Sequence, residues 1–409
     1  MTIRNAPIVY FGNDWFAENR TSSHHIATRL AERSPLLYVE SPGLRAPKAS
    51  ARDVRKLWKK LRRAARLPSP IHRQMWLMTL PQIPFRRLPA VRALNRWMGR
   101  WLVRRAMRHL GFERPLVWCA VPHVEPLAGQ LDARFLVYYC IDDYASLPDV
   151  DRREVSRMDE TLARKADQVF VASRTLLERQ RALNPHTAYS PHGVDVELFR
   201  QALDPALPLA DGLHRLRRPI IGFYGLLEAW LDVELLVYLA RSRPEWTFLL
   251  IGRAAVDVSA LQSLPNVVFR GPQPYEMLPR WAKAFDVAIV PLRLNEQVRN
   301  SNPLKVREYL ATGKPVVSVW TPEVERFAHC IGIARTSEEF LAEIEQALRT
   351  ESEAKRAARL QAVAGMTWES RVEEVLGIVE QRMQAQEQQN RGQTPSWGLR
   401  DFPDWGLTP

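Results

Sequence analysis

Residues 300–318 read NSNPLKVREYLATGKPVVS, and the punctuation of this stretch decides the architecture. Lys305 and Glu308 are three apart, so on a helix they share one face. Asn302 followed by Pro303 is a helix start, with Asn as N-cap and Pro at the first helical position. Gly313-Lys314-Pro315 ends the helix, and the apolar run 316–319 suits a buried strand. A helix N-terminus beside a lysine suits a diphosphate. A carboxylate one turn further in suits a pair of ribose hydroxyls. The same stretch is equally ordinary α/β architecture, and its spacing alone leaves both readings open.

Outward from this stretch, strand and helix patterns alternate. Segments 7–12, 36–39, 115–121, 135–140, 168–172 and 187–190 read as buried strands, interleaved with helical patterns over 21–33, 89–110 and 151–166. A second series starts at 219–224 and continues through strands at 247–252, 267–270, 287–291 and 316–319. Its helices fall at 231–241, 278–284 and 337–349, and a last helix covers 367–383. Such repetition implies parallel sheets covered on both faces. The expected fold class is α/β, with two Rossmann-like parallel-sheet domains facing a cleft, because ligands bind where the strands of open sheets end. The expected division is a first domain at 1–200 with a basic insertion at 45–108, a linker at 201–218, a second domain at 219–366, a helix at 367–383 packing back, and a flexible tail at 384–409. The tail holds two Trp-Gly-Leu copies, at 397–399 and 405–407.

Composition narrows the classes. The 409 residues are 46% hydrophobic, enough for two cores, yet no uninterrupted apolar window is long enough to cross a membrane. The first residues, MTIRNAPIVYFGNDW, lack a secretion-signal pattern, and three widely spaced cysteines offer neither a disulfide framework nor a metal pair. A cytosolic protein is expected. The net charge of +13 is concentrated: residues 45–108 hold nineteen Lys and Arg against a single acid, Asp53. Trp58, Trp76, Trp97 and Trp101 are interleaved there, and 54–63 has the pattern of a basic amphipathic helix. Such a segment fits an anionic membrane surface, a solvated face, or nucleic acid, the last being the least expected. No metal-binding, P-loop or nucleophile-elbow motif is present, so neither a metal nor another cofactor is expected.

The 300–318 stretch resembles the donor-binding helix of GT-B glycosyltransferases, in which a glutamate, seven residues and a second glutamate precede Ala-x-Gly-x-Pro-Val-Val. Here the second glutamate is Glu308 and the tail is Ala311 to Val317, while the first position holds Asn300. Residues 191–195, PHGVD, with Phe199 resemble the family's Pro-Asn-Gly-Val-Asp-x-x-x-Phe, with His192 in place of Asn. The resemblance implies a nucleoside-diphosphate sugar donor held by Gly225, Gly252, Arg253, Tyr275, Arg299, Asn302, Pro303, Leu304 and Glu308. Leu226 and Leu231 stand where relatives carry an arginine and a lysine, which leaves Lys305 as the main cation for the leaving diphosphate. Each glycine is also explained by simple strand-end turns.

In the first domain, Asp142 and Asp143 follow a strand and point a carboxyl pair at the cleft, where one would act as base; capping the next helix is the competing role. His123 follows another strand in the same way. His24 and His25 lie in the loop that faces the acceptor in this fold. The expected activity is a hexosyltransferase-type transfer of sugar from a nucleotide sugar to a glycan or polyprenyl-linked acceptor in bacterial polysaccharide synthesis, at the cytoplasmic face of the membrane. An inactive scaffold that keeps the fold and a nucleotide-sugar epimerase are the alternatives. The residues leave the sugar, the base and the stereochemical outcome open.

Overall fold

A computed structural model of the chain describes residues 3, 5–17, 20–41, 67–83 and 88–392. Strands β1 (Ile8–Gly12), β2 (Leu36–Glu40), β3 (Ser69–His72), β4 (Met75–Thr79), β5 (Leu116–Cys119), β6 (Phe135–Cys140), β7 (Gln168–Val171) and β8 (Thr187–Tyr189) form one sheet in the order 3-4-2-1-5-6-7-8. All its pairings are parallel except β3 with β4. Strands β9 (Ile220–Tyr224), β10 (Thr247–Ile251), β11 (Val267–Arg270), β12 (Val287–Val290), β13 (Val316–Val319) and β14 (Gly332–Ala334) form a second, fully parallel sheet in the order 11-10-9-12-13-14. β1, β2, β5 and β6 are buried along their whole length, which is why they read as continuous apolar runs rather than alternating ones. The strand order reverses between β1 and β5 in the first sheet and between β9 and β12 in the second, and ligand crevices form at such points.

Three segments differ from the sequence reading. The basic insertion is not one block: residues 69–79 form the β3–β4 hairpin and extend the first sheet. Pro70 is tolerated because β3 is the edge strand. The helical pattern at 54–63 lies outside the described residues, and Trp76 is partly buried in β4 against Phe112.

The 201–218 segment is no free linker. Lys283 Nζ donates to the carbonyls of Asp204, Pro205 and Leu207, and Ala210 and Leu213 pack into the second core together with Val194, Val196 and Phe199. The last helix runs from Trp368 to Gly392, so the expected tail begins as helix; both Trp-Gly-Leu copies lie outside the described residues. Its Trp368, Val372, Val375, Leu376 and Val379 join the core of the first sheet. Among the described residues, no helix is long and apolar enough to cross a membrane.

Candidate functional site

The helix Leu304–Ala311 follows β12 and brings Lys305 and Glu308 to the end of β9. Lys305 Nζ lies 2.9 Å from Glu308 Oε2 and 5.0 Å from the centre of the Tyr224 ring. Glu308 is buried, while Lys305 keeps part of its side chain exposed. Gly225, directly after β9, has φ +150°, and a Cβ there would stand 3.3 Å from Lys305 Cε. Gly252, at the end of β10, has φ +139°, and a Cβ there would stand 1.8 Å from the Gly225 carbonyl oxygen. The two glycines therefore allow two strand ends and a lysine to meet without side chains between them. Arg253 is half-buried beside them, and Arg299 is exposed on the short helix Glu296–Asn300.

The helix start differs from the expectation. Pro303 occupies the N-cap position and Leu304 is the first helical residue. Asn302 is not the cap, because tertiary partners take its side chain. Its amide donates to the Ala172 carbonyl at 2.7 Å and to Glu323 at 3.2 Å, and its oxygen accepts from Arg307. Leu304 packs against the core of the first lobe.

These contacts belong to a buried seam between the lobes. Ser173 Oγ donates to the Asn300 carbonyl at 2.6 Å, the Arg174 N–H donates to Glu323 at 2.8 Å, and Tyr189 donates to the same carboxylate at 2.7 Å. Asn300 Nδ2 donates to Asp143 at 2.7 Å, and that carboxylate also accepts from Arg179 and Ser146. Although burial alone would raise its pKa, Arg179 and these donors hold Asp143 below the usual carboxylate range.

Asp142 is the opposite case: burial raises its pKa to about 6, against the lowering effect of hydrogen bonds from the Asp143 N–H and the Gln297 side chain. The two acids thus separate into a charged, fully engaged group and a group that titrates near neutrality. His123 is half-buried in the turn Pro122–Val124 after β5.

His24, His25 and Tyr275 occupy a second seam. The His24 ring accepts from the Thr21 N–H at 3.0 Å and reaches the Asp14 carbonyl at 3.0 Å, so it caps the helix Ser22–Ala31. His25 is buried, stacked on Trp368 at 4.8 Å and 3.4 Å from Asp195; burial first, then Arg29, pushes its pKa well down. Asp195, from the PHGVD loop, also pairs with Arg29 at 2.6 Å and accepts from the Tyr275 hydroxyl at 3.0 Å. His24 is thus held by Thr21 and Asp14, His25 lies between Trp368 and Asp195, and Tyr275 has its hydroxyl committed to Asp195.

Leu231 is a core residue of the second lobe, bridged through its backbone to Leu292, and not a residue facing the pocket. No group of three or more His, Cys, Asp and Glu side chains able to hold a metal ion occurs among the described residues. Sequence reasoning missed Tyr224, Gln297 and Glu323, and it read Ser173 only as the cap of the next helix, which it is, accepting from the Leu176 N–H. Tyr224 ends a predicted strand and was within reach; Glu323 accepts from the Arg174 N–H across 149 residues of chain and carries no local signal.

Comparison with known proteins gives consistent results. Residues 214–350 match the family model described as Glycosyl transferases group 1. TuaH of Bacillus subtilis (strain 168), assigned as a teichuronic acid biosynthesis glycosyltransferase, is 27% identical over 233 residues. That match covers 52% of this chain and 57% of TuaH, so the shared part is little more than half of that curated relative. Among solved structures, a trehalose-6-phosphate structure from E. coli bound with UDP-2-fluoro glucose has a TM-score of 0.67 at 12% identity, covering 93% of this chain and 99% of that one. Sucrose-phosphate synthase from Thermosynechococcus elongatus has a TM-score of 0.67 at 16% identity, covering 93% and 100%. These likenesses carry the GT-B fold across both lobes, and residues 214–350 of the second lobe are similar to the family Glycosyl transferases group 1.

Proposed function

We propose that the protein is a glycosyltransferase that moves a sugar from a nucleoside-diphosphate donor to a glycan or lipid-linked glycan acceptor in bacterial polysaccharide synthesis. One observation carries the reading: Lys305 and Glu308 meet two bare glycine strand ends at the switch point of a lobe that matches a glycosyltransferase family. In this reading Glu308 takes the ribose hydroxyls, and Lys305 turns from Glu308 to the diphosphate, where it offsets the charge that develops on the leaving group. Asp142 is the carboxyl group suited to accept the acceptor proton, since its pKa lies near 6 while the oxygens of Asp143 are already engaged. The UDP-sugar on the E. coli neighbour and the polysaccharide role of TuaH support this donor and acceptor class. A site at the cytoplasmic face of the membrane would give access to both.

The test is a thermal-shift series with UDP, GDP and UDP-glucose. At least one nucleotide should raise the melting temperature, because a ligand that binds only the folded state stabilises it. Lys305→Ala should lower turnover by roughly 100-fold, and Glu308→Ala should weaken donor binding. No shift with any nucleotide would instead favour the inert scaffold that Leu226 and Leu231 suggest.

A further inference from the structure

Seven large apolar side chains are well exposed among the described residues, and four of them, Leu88, Leu94, Trp97 and Trp101, lie on or at the start of the helix Pro89–Leu110. Trp97 is 64% exposed, Leu88 56%, Leu94 47% and Trp101 45%. Leu94, Trp97 and Trp101 are spaced three and four apart and so form one stripe. The other side of the helix is buried through Gly99, Val103, Ala106 and Met107, with Gly99 against Leu127. The helix is thus already docked on its lobe, and the stripe is a second apolar face with no part in that packing.

The charge on this helix is one-sided. It carries six arginines and no acid. Arg105 Cζ lies 5.5 Å from the centre of the Trp101 ring, and Arg92, Arg96 and Arg108 are exposed. Exposed tryptophans on a helix whose charges are all arginine match the headgroup zone of an anionic bilayer: the rings enter at headgroup depth while the cations meet phosphates. The topology adds a direction. β4 ends at the cleft edge of its sheet, residues 80–88 connect it to the helix, and Asn95 ties the helix to Ile83 through two hydrogen bonds at 2.9 and 3.0 Å. The helix then runs back to the start of β5, so Leu88, Leu94 and Trp97 lie toward the cleft edge.

We infer that the outer face of Pro89–Leu110, centred on Trp97 and Trp101, docks the protein on an anionic lipid bilayer. This deepens the reading above, resting on it only for a lipid-linked acceptor that such docking would present at the cleft.

The experiment is flotation of the full chain with phosphatidylcholine vesicles with and without phosphatidylglycerol. Binding should require phosphatidylglycerol and fall as salt rises from about 50 to about 500 mM. Trp97→Ser/Trp101→Ser should weaken it roughly tenfold or more with an unchanged melting temperature, since both side chains are exposed. Arg92→Gln/Arg96→Gln/Arg108→Gln should flatten the salt dependence, and it carries the test should the tryptophan variant fold poorly. The inference is overturned if neutral vesicles bind as well, if the folded tryptophan variant or the arginine variant binds like wild type, or if a single-stranded RNA competes the protein off the vesicles. UDP binding is read separately by thermal shift, so lost docking with intact nucleotide binding sinks only the membrane face, and the reverse sinks only the donor reading.

Discussion

Residues 300–308 serve two regions that follow opposite rules. Toward the first lobe, the amides of Asn300 and Asn302 donate to Asp143, Ala172 and Glu323, and Arg307 donates to Asn302. Toward the strand ends, Lys305 and Glu308 pair with each other and Lys305 lies over the Tyr224 ring, beside glycines that leave space. A satisfied network positions; an under-committed cation beside open backbone can still take a ligand. The comparison teaches that the departure from the family pattern at Asn300 has a local reason. An acid at 300 would face the carboxylate of Asp143, whereas an amide can donate to it.

The largest effect should come from breaking the seam. Glu323→Ala leaves the Arg174 N–H, Tyr189 and Asn302 without a buried acceptor and Arg326 without its carboxylate neighbour. A loss of about 3–5 kcal/mol is expected in urea unfolding, and a loss below about 1 kcal/mol would show the seam to be incidental. On the pocket side, Gly252→Ala should cost about 3 kcal/mol, because its Cβ would overlap the Gly225 carbonyl at a strained φ; a variant as stable as wild type would mean that the two strand ends can part. Asn300→Asp sharpens the comparison itself. It should cost about 2 kcal/mol, and adding Asp143→Asn should recover part of the loss by restoring an amide–carboxylate pair. If the double variant is no better than the single one, the pairing does not explain Asn300.

The smallest effect concerns pH. The unfolded chain releases the Asp142 proton near pH ~4, while the folded protein holds it to about 6. Across that window the unfolded state binds fewer protons, so Asp142 makes stability fall as pH rises, and the loss is complete above about 6. Asp142→Asn should therefore stabilise the protein at neutral pH relative to wild type, and the gain should vanish near pH ~4. A gain that does not change with pH would rule out the raised pKa.

Legibility differed between the same two regions. Lys305 and Glu308 were readable because they lie on one helix face, and Gly225 and Gly252 because they end apolar runs. The strands were readable because burial on both faces removes polar alternation. Asn302 was misread as a cap since local propensity is the only guide a sequence offers, and here tertiary acceptors outbid it. β3 and β4 were hidden under the arginines and prolines around them. Asp142 and Asp143 were indistinguishable as neighbours in sequence, and their separation depends on the burial of Asp142 and on Arg179 and Asn300 beside Asp143, none of them local.

By itself the sequence determined two α/β series, a helix with a cation and an acid on one face, and a concentrated basic segment, because periodicity, turn chemistry and charge are local properties. Only the tertiary structure decided which acid stays charged, which side of the helix meets the other lobe, and which tryptophans remain on the surface. Those outcomes depend on burial and on partners brought together from distant parts of the chain, and no local pattern encodes either.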